Sequence, residues 1–105
     1  MVRHLITKTM LDWYLYLVRC RDGSLYTGIT TDVARRFAEH RESKGIGAKY
    51  LRGREPLELV FQKKLGGRSL ALGVENKVKK LSKARKEELL NDKKHIEVII
   101  KQVGS

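Results

Sequence analysis

The sequence predicts an α+β domain on three observations. Two apolar runs, DWYLYLVRC and LYTGIT, flank an Asp22-Gly23 turn signal. Apolar residues then recur at helical spacing from Val33, and an alternating run from Leu57 is followed by a second helical pattern from Arg68. With 105 residues, the chain suits one compact domain and is too short for two independent cores.

Residues 1–11 have no clear period and read as an N-terminal arm. The domain proper is expected over 12–91. Asp12 to Cys20 is apolar on both faces, which predicts a central strand. After the Asp22-Gly23 turn, Leu25 to Thr30 forms the return strand. Thr31 or Asp32 caps a helix starting at Val33, and Val33, Phe37 and His40, at i, i+4 and i+7, form the stripe that faces the sheet. This helix ends near Glu42 to Lys44. Gly45-Ile46-Gly47 opens a loop holding Lys49, Tyr50, Arg52 and Arg54 before Pro56.

Leu57 to Leu65 is expected as a third strand, broken by Gly66-Gly67. From Arg68 to about Leu81, the spacing of Ala71, Val74, Val78 and Leu81 predicts a helix, with Gly73 an interior weak point costing about 1 kcal/mol against Ala. Ser82 caps a further helix through Leu90, closed by Asn91-Asp92. The segment 92–105, with Ile96 to Val103 at its centre, is expected to be a last strand or a tail packed on the sheet.

Lys and Arg number 23 against 12 Asp and Glu, a formal charge of +11. That excess favours a polyanionic partner, nucleic acid above all, because each neutralised phosphate releases counterions and adds affinity. No segment joins a long apolar face to a basic one, so a membrane surface is not expected as the partner. Cys20, the single cysteine, excludes an intramolecular disulfide and suits a reducing compartment. There is no run of about 18 apolar residues and no secretory-type apolar stretch, so a cytoplasmic protein is expected.

Three features stand in order: Tyr14-Leu15-Tyr16 in the first strand, Tyr26-Thr27-Gly28 in the second, and Arg36 with His40 on one face of the following helix. This ordered set resembles the GIY-YIG nuclease family. RCRDGSLYTGITTD, GAKYLRGREPLELV and ENKVKKLS are similar to its small stand-alone bacterial members, and the likeness runs from Tyr14 to about Leu90. The first motif lacks its Gly, as small members often do.

The resemblance implies a small, mainly antiparallel three-stranded sheet flanked by helices. It implies a metal-dependent endonuclease or phosphodiesterase acting on DNA, in which Glu75 is the single protein ligand of one Mg²⁺ or Mn²⁺ ion, with water and substrate completing the shell. Tyr16 and Tyr26 would flank the scissile phosphate, one of them orienting or activating water, with Tyr16 favoured. A free phenol titrates near 10, so such a role needs its pKa lowered by neighbouring positive charge. Arg36 would hold the phosphate, and His40 would shuttle a proton or orient a partner. Lys49 and Tyr50 would sit at the rim, with Arg35 and Arg52 as further nucleic-acid contacts. No small-molecule cofactor is expected, and the chain should be a monomer or weak dimer.

Each of these residues also has an ordinary reading. Alone, the tyrosines are strand aromatics, His40 is a satisfied edge-of-core histidine, and Glu75 pairs with Lys79 at i, i+4. Lys77, Lys79, Lys80, Lys83, Arg85 and Lys86 form a solvated face that also suits a nucleic-acid backbone. A rival to the enzyme is a non-catalytic basic nucleic-acid-binding module, and a third reading is an interaction domain for an acidic protein.

One geometric condition separates these readings. A plain two-residue Asp22-Gly23 turn pairs even-numbered with odd-numbered residues and puts Tyr16 and Tyr26 on opposite faces of the sheet. A one-residue bulge at Asp22 to Ser24 brings both to one face, with Val18 and Gly28.

Overall fold

The computed structural model describes residues 11–42 and 49–104. In chain order they form β1 (Trp13–Arg19), β2 (Leu25–Thr30), α1 (Val33–Glu42), a 3₁₀ turn (Lys49–Leu51), β3 (Glu58–Gly66), α2 (Arg68–Lys79), α3 (Lys83–Asn91) and α4 (Lys93–Gly104). The sheet has the order β2-β1-β3 and is antiparallel throughout, so the doubly apolar β1 is central as its sequence requires. No helix among the described residues is long and apolar enough to cross a membrane.

The hairpin meets the parity condition. Tyr16 pairs with Gly28 and Val18 with Tyr26, which puts all four on one face. The turn takes three residues: the Cys20 N–H donates to the Ser24 carbonyl and the Gly23 N–H donates to that of Cys20, both at 2.9 Å. Gly23, with φ +87°, occupies the left-handed position that such a bulged turn needs and that a side chain would resist. The Asp22 carboxylate accepts from the Ser24 N–H at 3.0 Å and from its hydroxyl at 2.7 Å, which holds the loop.

Each face of the sheet has its own core. Leu15 and Leu17 pack against Val74 and Val78 of α2, Leu89 of α3 and Ile96 of α4, all buried. Tyr16 and Val18 look the other way, toward Val33 of α1, with Phe37 and Tyr26 packed around them. Asp32 is the residue that caps α1, its carboxylate accepting from the Arg35 N–H at 3.1 Å. Of the expected stripe, Val33 and His40 are buried and Phe37 is half-buried.

The C-terminal segment corrects an expectation: it is neither strand nor tail but the helix α4. Asp92, in an extended conformation, ends α3 and accepts from the Lys94 N–H at 2.9 Å, so one residue closes one helix and starts the next. Ile96, Ile99, Ile100 and Val103 then lie on the face of α4 that joins the core. Their i, i+3, i+4, i+7 spacing outweighs the β-branched side chains that suggested a strand. A Cβ at Gly73 of α2 would lie 2.5 Å from Cγ1 of Val103, so α4 crosses α2 at a point only glycine leaves open. Residues 1–10 of the expected N-terminal arm, and Gly45-Ile46-Gly47, lie outside the described residues; Leu11 is exposed.

Candidate active site

The site is assembled at the junction of β1, β2 and α1. Tyr16 projects from the central strand and is 1% exposed. Its ring lies across Gly28 of β2, where a Cβ would come within 2.5 Å of the hydroxyl and 2.6 Å of Cζ. The glycine of the second motif is therefore the floor on which the tyrosine of the first one rests. One turn after Arg36, α1 lowers His40 onto this ring, and the Tyr16 hydroxyl and His40 Nε2 stand 2.9 Å apart in a buried hydrogen bond. Tyr26 completes the cluster, with ring centroids 6.4 Å from Tyr16 and 5.6 Å, edge-on, from His40.

Burial decides the protonation of this cluster. It pushes the Tyr16 phenol well above its usual range, and Tyr26 and Glu75 add to the rise while Arg36 opposes it. His40 is pushed down to about 4, first by burial and then by the positive charge of Arg36, with Glu39 opposing. At neutral pH both groups are therefore uncharged, and the hydrogen bond joins a protonated phenol to a neutral imidazole.

The favoured role for Tyr16, acting on water, does not suit a phenol with 1% exposure and a raised pKa. Tyr26, on the edge strand, is half-buried and is the more accessible of these two phenols.

Arg36 is half-buried and pairs with Glu39 at 2.9 Å while its charge also acts on Tyr16 and His40. Glu75 comes from α2 on the other side of the sheet. Its side chain is 13% exposed, pairs with Lys79 Nζ at 3.3 Å and is near enough for its charge to act on Tyr16. Both the pairing with Lys79 and the approach to the tyrosine site are thus present. Among the described residues no group of three or more His, Cys, Asp or Glu side chains could hold a metal ion. The donor set available is one carboxylate. That suits a hard divalent cation that keeps most of its waters, and it does not suit zinc, which takes several nitrogen or sulfur ligands.

The expected rim is only partly assembled. Tyr50 stacks on Tyr26 with centroids 5.9 Å apart and 28° between the planes. Arg54 covers the Tyr50 ring at 4.2 Å, donates to the Tyr50 carbonyl at 2.8 Å and pairs with Asp22 at 2.8 Å, so it ties this ring to the hairpin loop. Sequence reasoning noted Arg54 only as a loop cation; its link to Asp22 spans 32 residues and has no local signal. Lys49 and Arg52 are exposed, and among the described residues no side-chain hydrogen bond or ion pair joins either to the cluster. Arg35 is 69% exposed and lies 4.0 Å from Glu39, away from the phenols.

Residues 12–88 match the family model of the GIY-YIG catalytic domain. The chain belongs to the GIY-YIG family. Within it, the chain is 50% identical over 91 residues to the UPF0213 protein YhbQ of Salmonella typhimurium, covering 87% of this chain and 89% of that one. It is 57% identical over 81 residues to a UPF0213 protein of Cronobacter sakazakii, covering 77% and 83%. A solved structure from E. faecalis, 36% identical, superposes with a TM-score of 0.56 over 76% of this chain and 83% of that chain. The α+β architecture is therefore that of a GIY-YIG domain, and the three-stranded antiparallel sheet expected from the resemblance is the one observed.

Proposed function

We propose that this GIY-YIG domain is a divalent-metal-dependent endonuclease or phosphodiesterase that hydrolyses DNA phosphodiester bonds. One observation carries the reading: Tyr16 is hydrogen-bonded to His40, neighboured by Tyr26 and under the charge of Arg36 and Glu75, although these residues come from β1, α1, β2 and α2. Glu75 would hold a Mg²⁺ or Mn²⁺ ion, whose positive charge would offset the charge that grows on the phosphate oxygens during hydrolysis.

The protein's own groups divide the remaining work. Arg36 offers a permanently charged fork to the phosphate. Tyr26 presents its phenol to the substrate and orients the attacking water. Tyr16, held by His40 and seated on Gly28, fixes the floor of the site and the position of Tyr26. The net charge of +11 draws the polyanion in.

A non-catalytic nucleic-acid-binding module on the same fold is the second reading, and the net charge of +11 supports it as well as it supports the enzyme. Cleavage of labelled single-stranded, duplex and branched DNA in Mg²⁺, Mn²⁺ and EDTA decides between them. Metal-dependent cutting abolished in Glu75→Ala, with DNA binding kept, supports the enzyme. Cutting retained in Glu75→Ala overturns it, and salt-sensitive binding without cutting by the parent supports the binding module.

A further inference from the structure

We infer that a cleft on the outer edge of β2 is a second phosphate subsite, which holds the sugar-phosphate unit next to the scissile one on the same strand. The inference rests on the nuclease reading and names how the substrate continues beyond the site. The cleft has a volume of about 240 Å³ and is lined by Leu25, Tyr26, Thr27, Tyr50, Lys79 and Lys86. That is several times the ~30 Å³ that a water molecule occupies in the liquid, which leaves room for a sugar-phosphate unit.

Two of its walls are shared with the site: Tyr26 touches His40, and Lys79 pairs with Glu75. A strand leaving Tyr26 and Glu75 along the edge of the sheet therefore enters this cleft directly.

Three features suit an anionic, hydrogen-bonding ligand. Thr27 is 2% exposed, and its hydroxyl is a buried side-chain polar atom without a hydrogen-bond partner among the described residues. Such a group costs stability unless something bonds to it. Lys86 is half-buried and in no ion pair among the described residues, although it lines the cleft from α3. Lys79, one turn beyond Glu75, adds a second ammonium. A phosphate between the two lysines accepts from both and from the Thr27 hydroxyl, while Tyr50 flanks the sugar.

The test uses the full chain and a labelled ten-nucleotide DNA strand in EDTA, with binding followed as a function of salt. Lys86→Gln should lower the slope of log K against log salt by about 0.7 to 0.9, the loss of one phosphate contact, whereas Lys63→Gln on β3, the opposite edge of the sheet, should lower it by no such step. Thr27→Val should weaken binding yet raise the melting temperature of the free protein, because it removes an unpartnered hydroxyl; a merely structural threonine would not move the two in opposite senses. If the parent binds DNA while Lys86→Gln and Thr27→Val bind with its slope and affinity, the subsite is wrong, and where that parent also cuts in Mg²⁺ the nuclease reading stands. A parent that neither binds nor cuts DNA overturns both.

Discussion

Tyr16 and His40 meet in one buried hydrogen bond of 2.9 Å, and burial keeps both partners uncharged at neutral pH: a protonated phenol faces a neutral imidazole. The pair is therefore an internal support whose strength depends on pH.

His40 is held near 4 in the folded protein, against about 6.5 in an unfolded chain. Between these values the unfolded state binds a proton that the folded state does not, so stability rises with pH across the window. As pH falls from 6.5 to 4 the parent should lose up to about 3 kcal/mol through this group. Urea unfolding at stepped pH checks this. His40→Gln should flatten the slope in that window, and an unchanged slope would show that His40 is not the group responsible.

Gly28→Ala places a methyl group against the Tyr16 ring. The ring must move and release His40, at an overpacking cost of about 1–3 kcal/mol. Cleavage should fall by on the order of 10²-fold, the effect of a displacement near 1 Å in a reacting site. Thermal melting and a cleavage assay on the same preparation separate the two losses.

Arg19 and Glu87 form a two-pronged pair, at 2.8 and 2.9 Å, that ties β1 to α3. Hydrogen bonding from Arg19 pulls the Glu87 carboxyl down to about 2. A depressed carboxyl pKa stabilises the fold above its unfolded value and loses that contribution as pH falls from about 4.5 to 2. Both side chains are 30% exposed, so solvent screening leaves about 1 kcal/mol. Glu87→Gln should cost that much at pH 7 and nothing near pH 2, as read by chemical denaturation.

Gly73→Ala sets helix propensity against packing. Alanine should gain about 1 kcal/mol in an open helix, but here its methyl group meets Val103, and the net effect should be destabilising. Val103→Ala should make room, so the double variant should be more stable than the sum of the single changes. Simple additivity in denaturation midpoints would remove the steric explanation.

How much of this was legible in the sequence depended on how local the determinant was. The hairpin bulge followed from residue parity and the α1 stripe from helical spacing, both readable within a few residues. The helical period of Ile96, Ile99, Ile100 and Val103 was equally present, yet the segment was expected as a strand or a tail, and its β-branched side chains suit a strand as well. Only the contacts with α2 and α3 decide for a helix. The two phenols illustrate a different limit. Their common face and the central place of β1 were readable, but the burial of Tyr16 is completed by His40 of α1, a contact 24 residues away. Thr27 carried no sequence signal at all, because an unpartnered hydroxyl is a property of the surroundings.

The last helix reaches beyond the family segment. Residues 12–88 contain every candidate catalytic side chain, yet α4 supplies Ile96 to the core and lays Val103 on Gly73, two positions from Glu75. The segment matched by the family model ends before the folded part does. A boundary drawn at the end of that segment would keep every candidate side chain and remove the brace behind Glu75, so the family-model limit is a poor guide to where this protein can be cut.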